Sequence, residues 1–231
     1  MSARFITVPG DIAIKRAISS ISQKKRLVVC GHPLGLNNFL TETFEIRRPA
    51  EHILKDAESL DAAILVQELK EYLAKVEEEK KELDGEVYFG LEEREGSWEV
   101  AIKRDRSRHN PEFHAHKDNR QRPMEHVLMA EIEVENPWDV LAHFEYRVWY
   151  ESLYLKEQCA MWRSWYEQYD AHVVSTTHEY LEAKVLKPPT TKEQAMELAW
   201  QHYYYCSDIV DIIADHAVSL LNSEYWYFWW D

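Results

Sequence analysis

The side chains best suited to chemistry in this sequence crowd one short stretch near its end: His202, Cys206, Asp208, Asp211, Asp215 and His216. His202 and Cys206 are four apart, the spacing that makes neighbours on one helix face, so a thiol nucleophile with an imidazole base is one reading. A helix beginning just after Cys206 would lower the thiol pKa. Asp208, Asp211 and Asp215, three and four apart, can hold a divalent cation together with His202 or His216. Plainer readings stand beside these. A cysteine on an apolar stripe is commonly an inert small hydrophobe, and acidic residues in a first helical turn answer the helix dipole. A polar pocket recognising a ligand or partner, with Asp208, Asp211 and Trp229 as contacts, is the third functional alternative.

A second concentration lies at 103–122, where Lys103, Arg104, Arg106, Arg108, Lys117, Arg120 and Arg122 face only Asp105, Glu112 and Asp118. Such a segment is either a polar loop or a site for an anion or acidic partner, with Arg106 and Arg108 the leading contacts. Long loops without secondary structure are uncommon unless functional or disordered. His114 and His116 alternate as HxH, which places two imidazoles on one side of an extended chain and makes them weak candidates for a metal such as zinc. His109 lies nearby, but no regular ligand motif completes the set, so no metal or cofactor is expected.

The 231 residues can bury a sizeable core and show no Gly-, Ser- or Pro-rich linker, so one domain over 1–231 is expected. With 27 basic against 41 acidic residues the net charge is -14, which opposes general binding to nucleic acid or to an anionic membrane and would suit a basic protein partner. Cys30, Cys159 and Cys206 are odd in number and far apart, arguing against a disulfide framework and for a reducing compartment. No apolar run is long enough to span a bilayer and the N-terminus lacks a signal-peptide core, so a cytoplasmic location is expected. Neither GxGxxG nor GxxxxGK is present.

The elements that must carry these residues read as follows. Phe5, Ile6 and Val8 form a strand closed by Pro9-Gly10, after which Asp11 can cap a helix bearing Ile12, Ala17 and Ile21. LVVCG at 27–31 is a buried strand, and HPLGLNN at 32–38 is turn chemistry. Helical spacing follows from Pro49, with Asp61 as a second cap. EVYFGLEE and SWEVAIKR suggest a hairpin, 126–135 a strand, 155–169 a helix, and 171–186 two strands about a turn at Thr177-His178. Thr190 to Glu193 spells a capping box. The helix it opens puts Ala195, Leu198, Ala199, His202 and Cys206 inward. Ser207 can cap a further helix over 207–222. Tyr225-Trp226-Tyr227-Phe228-Trp229-Trp230 is aromatic on both faces, the pattern of a central strand between two layers, although one face lining a ligand groove is the alternative. The fold class is therefore α/β or α+β, a mixed sheet with packed helices and this aromatic strand within it.

Three ordered motifs then carry a resemblance. Pro188, Pro189, Thr191, Lys192, Glu193, Gln194 and Ala195 come first, then Tyr205, Cys206, Asp208, Ile209, Val210 and Asp211, then Phe228, Trp229, Trp230 and Asp231. In this order and spacing the chain resembles the bacterial domain-of-unknown-function family 4253, most clearly over about 126–231. Ser207 departs from it, standing where the family has proline. The resemblance implies no activity. With no standard catalytic or nucleotide motif, the expected function is a noncatalytic binding or interaction protein, a class that includes immunity and defence accessories. The alternative is a hydrolytic enzyme working through His202 and Cys206 or through a cation at Asp208 and Asp211.

Overall fold

The structure is a computed structural model that describes residues 3–34, 49–81, 94–104, 112–144, 153–177 and 179–230. Among these, β1 (Arg4–Val8), β2 (Lys25–Gly31), β3 (Val127–Glu133), β4 (Ala171–Thr176), β5 (Tyr180–Val185) and β6 (Tyr225–Trp229) form one sheet in the order β1-β3-β2-β4-β5-β6. Neighbours are antiparallel except β2 and β4, which run parallel. The helices are α1 (Gly10–Ser19), α2 (Ala50–Glu58), α3 (Ala62–Lys81), α4 (Trp98–Arg104), α5 (Leu155–Tyr169), α6 (Lys192–Tyr205) and α7 (Ile213–Leu220). This is an α+β fold whose mixed sheet contains the C-terminal aromatic strand. Among the described residues no helix is long and apolar enough to cross a membrane.

Both faces of the sheet are covered, which explains why every residue of β4 is buried. On one face Ala13 and Ala17 of α1, and Ile21 in the turn after it, pack with Val29, Met129 and Val174. On the other, Trp162 and Trp165 of α5, Leu198 of α6 and Ile213 of α7 close over Leu181, Ala183, Trp226 and Phe228. The first face is completed by the segment 112–124, which lies against the start of α1. Gly10 permits that approach: a Cβ there would fall 2.7 Å from His116 O and from Met124 N and O. The Gly10 N–H donates to Met124 O at 2.8 Å.

Start signals acted with small displacements. Asp61 accepts from the Ala63 N–H at 2.8 Å, as expected of a cap. The residue before α1 is Pro9, with Asp11 inside the first turn instead of capping. At α6 the capping box is built one residue later than expected, by Thr191 and Gln194: Thr191 accepts from the Gln194 N–H at 3.3 Å and Gln194 accepts from the Thr191 N–H at 3.3 Å. Glutamine closes the reciprocal pair as glutamate would.

Three expectations are corrected. Trp98–Arg104 is helix α4, not the second strand of a hairpin, because Ala101 packs with Ala214 and Val218 of α7 and Lys192 lies over the Trp98 ring. The strand expected at 86–93 lies outside the described residues. The stretch 207–222 is not one helix: a 3-10 turn at Ser207–Ile209 is followed by extended backbone at Val210 and Ile212 before α7 begins. Val210 is buried there, so core contact overrides a continuous helix in a run of β-branched residues. Finally, β6 is an edge strand, with Trp226 and Phe228 buried on one face and Tyr225, Tyr227 and Trp229 partly exposed on the other.

Candidate functional site

The break after Tyr205 takes Cys206 off the helix that holds His202. Cys206 is the residue after α6, and its thiol donates to Trp229 O at 3.0 Å. Burial pushes that thiol up to about 12, the opposite of activation by a helix N-terminus. His202 instead meets His216, Nδ1 to Nε2 at 3.0 Å, within a box of Trp165, Trp226 and Phe228 rings. Among the described residues no hydrogen bond joins the Cys206 thiol to the His202 ring. Burial holds the imidazole of His202 well below its ordinary pKa and that of His216 at about 4. His202 Nε2 has no hydrogen-bond partner among the described residues.

The acidic residues also separate. Asp215 receives Arg104 at 3.2 Å, tying α4 to α7. Asp208 and Asp211 are exposed on the broken stretch and Trp229 is 36% exposed on the sheet edge. Arg106 and Arg108 lie outside the described residues, as does His109. His114 Nδ1 pairs with Gln121 Oε1 at 3.1 Å while His116 Nδ1 is buried without a partner among the described residues, so the HxH pair has two separate surroundings. Among the described residues no group of three or more His, Cys, Asp or Glu is placed to hold a metal ion.

What the fold does assemble is a cleft of about 450 Å³ at the C-terminal ends of the parallel strands β2 and β4. Parallel neighbours end side by side, and their following loops must diverge, which leaves a crevice where α/β sheets usually receive ligands. Register irregularities fall next to it on both strands, between Val29 and Gly31 and between Val173 and Ser175. Such bulges re-aim the side chains beyond them. Gly31 has φ +82°, and a Cβ there would meet the Thr177 methyl at 3.3 Å, so this turn favours glycine. His32 follows, its Nδ1 accepting the Leu34 N–H at 3.1 Å. The opposite wall is the turn into β5, with Thr177 and Tyr180.

The roof is the 112–124 part of the basic segment, a folded turn; Lys103 and Arg104 belong to α4, and 105–111 lie outside the described residues. Lys117 bridges to Pro123, and Asp118 accepts the N–H groups of Arg120 and Arg122 at 2.8 and 3.0 Å while pairing with the Arg122 guanidinium at 2.9 Å. Those contacts hold the Asp118 carboxyl below its ordinary pKa. Lys117 pairs with Glu112. Lys117, Asn119 and Arg120 thereby stand at the cleft.

The roof is pinned by Glu182 of β5. It is fully buried and accepts from His114 N at 2.5 Å, Ala115 N at 3.2 Å, Ser175 Oγ at 2.5 Å and Tyr225 Oη at 3.0 Å. Burial, then the Glu182 charge, raises the Tyr225 phenol far above its usual range. The four donors come from three places in the chain, so no local signal announced this carboxylate. None of Asp208, Asp211 and Trp229 lines the cleft.

The fold and cleft define a mixed-sheet α+β protein with a crevice where, among the described residues, the parallel strands β2 and β4 end. The segment 128–231, which supplies all but the first residue of β3 and the whole of β4 to β6, matches a family described as a domain of unknown function, DUF4253. No curated protein and no solved structure matches the chain.

Proposed function

We propose that the protein is a noncatalytic binding protein that takes a small polar ligand in the cleft between the ends of β2 and β4. The observation that supports this reading is the cleft itself, where two bulged strand ends meet a turn stapled down by a fully buried carboxylate. Preformed concave sites with a few fixed polar groups are the usual form of a ligand site. Burial pushes all three thiols, Cys30, Cys159 and Cys206, up to about 12, which gives no support to a cysteine nucleophile.

A saturation-transfer NMR screen of small polar metabolites tests the reading when run on the full chain and on Asn119→Trp, which fills the mouth of the cleft. Ligands of the intact chain should be lost from that variant and kept by Asp208→Ala. Hits that survive Asn119→Trp, or rapid labelling of Cys206 in the folded protein, would overturn it.

A further inference from the structure

We infer that the ligand of this cleft is an uncharged sugar, held with a C–H face on the apolar wall and its hydroxyls at the polar mouth. The inference rests on the binding reading above and adds the chemistry. Among the described residues the charges that line the cleft cancel, Lys117 and Arg120 against Asp118 and Glu179. The partners just outside it cancel too, Glu112 pairing with Lys117 and Arg122 with Asp118. His32 adds no charge: its Nδ1 accepts the Leu34 N–H, which leaves the ring neutral with its proton on Nε2. A ligand with a net charge would give up hydration here without a matching field in return.

The groups at the mouth suit hydroxyls. A hydroxyl both donates and accepts, so it can meet either member of a mixed set. The Asn119 amide supplies both, an N–H pair and a carbonyl; it is exposed at the mouth and has no hydrogen-bond partner among the described residues. Planar amide and guanidinium groups hold their polar atoms in one plane, a geometry that spans two adjacent ring hydroxyls, and Asn119 and Arg120 set one of each kind side by side. Asp118 accepts the Arg120 N–H at 2.8 Å, which fixes the turn that carries them and lowers the entropic cost of binding. The floor is apolar. Thr177 spends its hydroxyl within its own turn, accepting the Tyr180 N–H at 3.1 Å, and sets its methyl toward Gly31. Beside it stand Ala115, Met124 and the Tyr180 ring, itself held against Tyr227 at 5.7 Å between centroids. A pyranose matches this division, with C–H bonds on one face and hydroxyls around its rim.

Isothermal titration of the full chain with methyl glucoside, methyl galactoside, methyl mannoside and N-acetylglucosamine tests this, with benzoate, glycine and cyclohexanol as anionic, zwitterionic and hydroxyl-poor controls. At least one sugar should bind about tenfold or more tightly than all three controls, since each control lacks either the hydroxyl rim or the neutral charge. Its affinity should change less than about twofold between about 0.05 and 0.5 M sodium chloride, a range over which screening would weaken a charged ligand several-fold. Arg120→Gln, which keeps a planar donor and removes the charge, should weaken the sugar about threefold, and Asn119→Ala about tenfold. Thermal unfolding should be unchanged in both, because the side chains are exposed. Benzoate or glycine binding more tightly than every sugar, and lost in Asn119→Trp, would refute the sugar while leaving the cleft reading intact. So would loss of all sugar binding in Arg120→Gln, or no sugar binding at millimolar concentration. Sugar binding indifferent to Asn119→Trp would refute both.

Discussion

His202 shows how a residue chosen for chemistry can be taken up by the core. Fully buried against Trp165, Trp226 and Phe228 and bonded to His216, its ring has no carboxylate partner among the described residues to stabilise a charge. Both imidazoles are therefore neutral in the folded chain, with pKa values lowered by desolvation. Because the folded-state values lie below that of an unfolded histidine, protons favour the unfolded chain. Stability is complete above about pH 6.5 and falls as pH drops toward about 4, by about 3 kcal/mol for His216 alone. Urea unfolding of the wild type and of His216→Gln between pH 7 and 4.5 checks this: the variant should lose less over that range. The spacing of His202 and Cys206 was legible in the sequence, but their contact depended on the helix continuing. It ends at Tyr205, and Cys206 turns its thiol to Trp229 on the outer edge of β6.

At the scale of elements, the functional weight moves from the terminal helices to the turn at 112–124 and the strand ends beneath it. Its basic character could be read directly. Its shape could not, because it is imposed from a distance by Glu182, by Gly10 and by the end of β2. Glu182→Ala should leave the His114 and Ala115 N–H groups, Ser175 and Tyr225 without their acceptor. Losing a buried, multiply bonded carboxylate predicts destabilisation of about 3 kcal/mol. Hydrogen exchange should report it as selective loss of protection at His114 and Ala115, ahead of α5 and α6. Uniform loss across the sheet would instead mean that Glu182 supports the whole fold and not the turn. Helix boundaries were the readable part at this scale. Caps act through bonds two or three residues away, so Asp61 was found where it stands and the α6 box lay one residue off.

Across the whole molecule, α5, α6, α7, β5 and β6 share one aromatic core with Trp165 at its centre, its ring stacked on Phe228 at 5.5 Å and its Nε1–H donating to Gln201 at 2.7 Å. Trp165→Ala should cost about 3–5 kcal/mol and broaden thermal unfolding, measured by near-ultraviolet circular dichroism. A loss under about 1 kcal/mol would show that the core repacks around the gap. Local periodicity and capping chemistry determined much of this protein: the strands at both termini and at 27–31, the helix at 155–169, the paired strands that follow it and the mixed-sheet class, since side-chain alternation and helical stripes are written in neighbouring residues. Only tertiary structure decided that β6 is an edge, that α4 is a helix, that 207–222 is broken, and that the cleft opens between β2 and β4. Each depends on which distant segments compete for the same buried surface, and residues from 30 to 180 become one site only when two strands far apart in sequence are laid parallel.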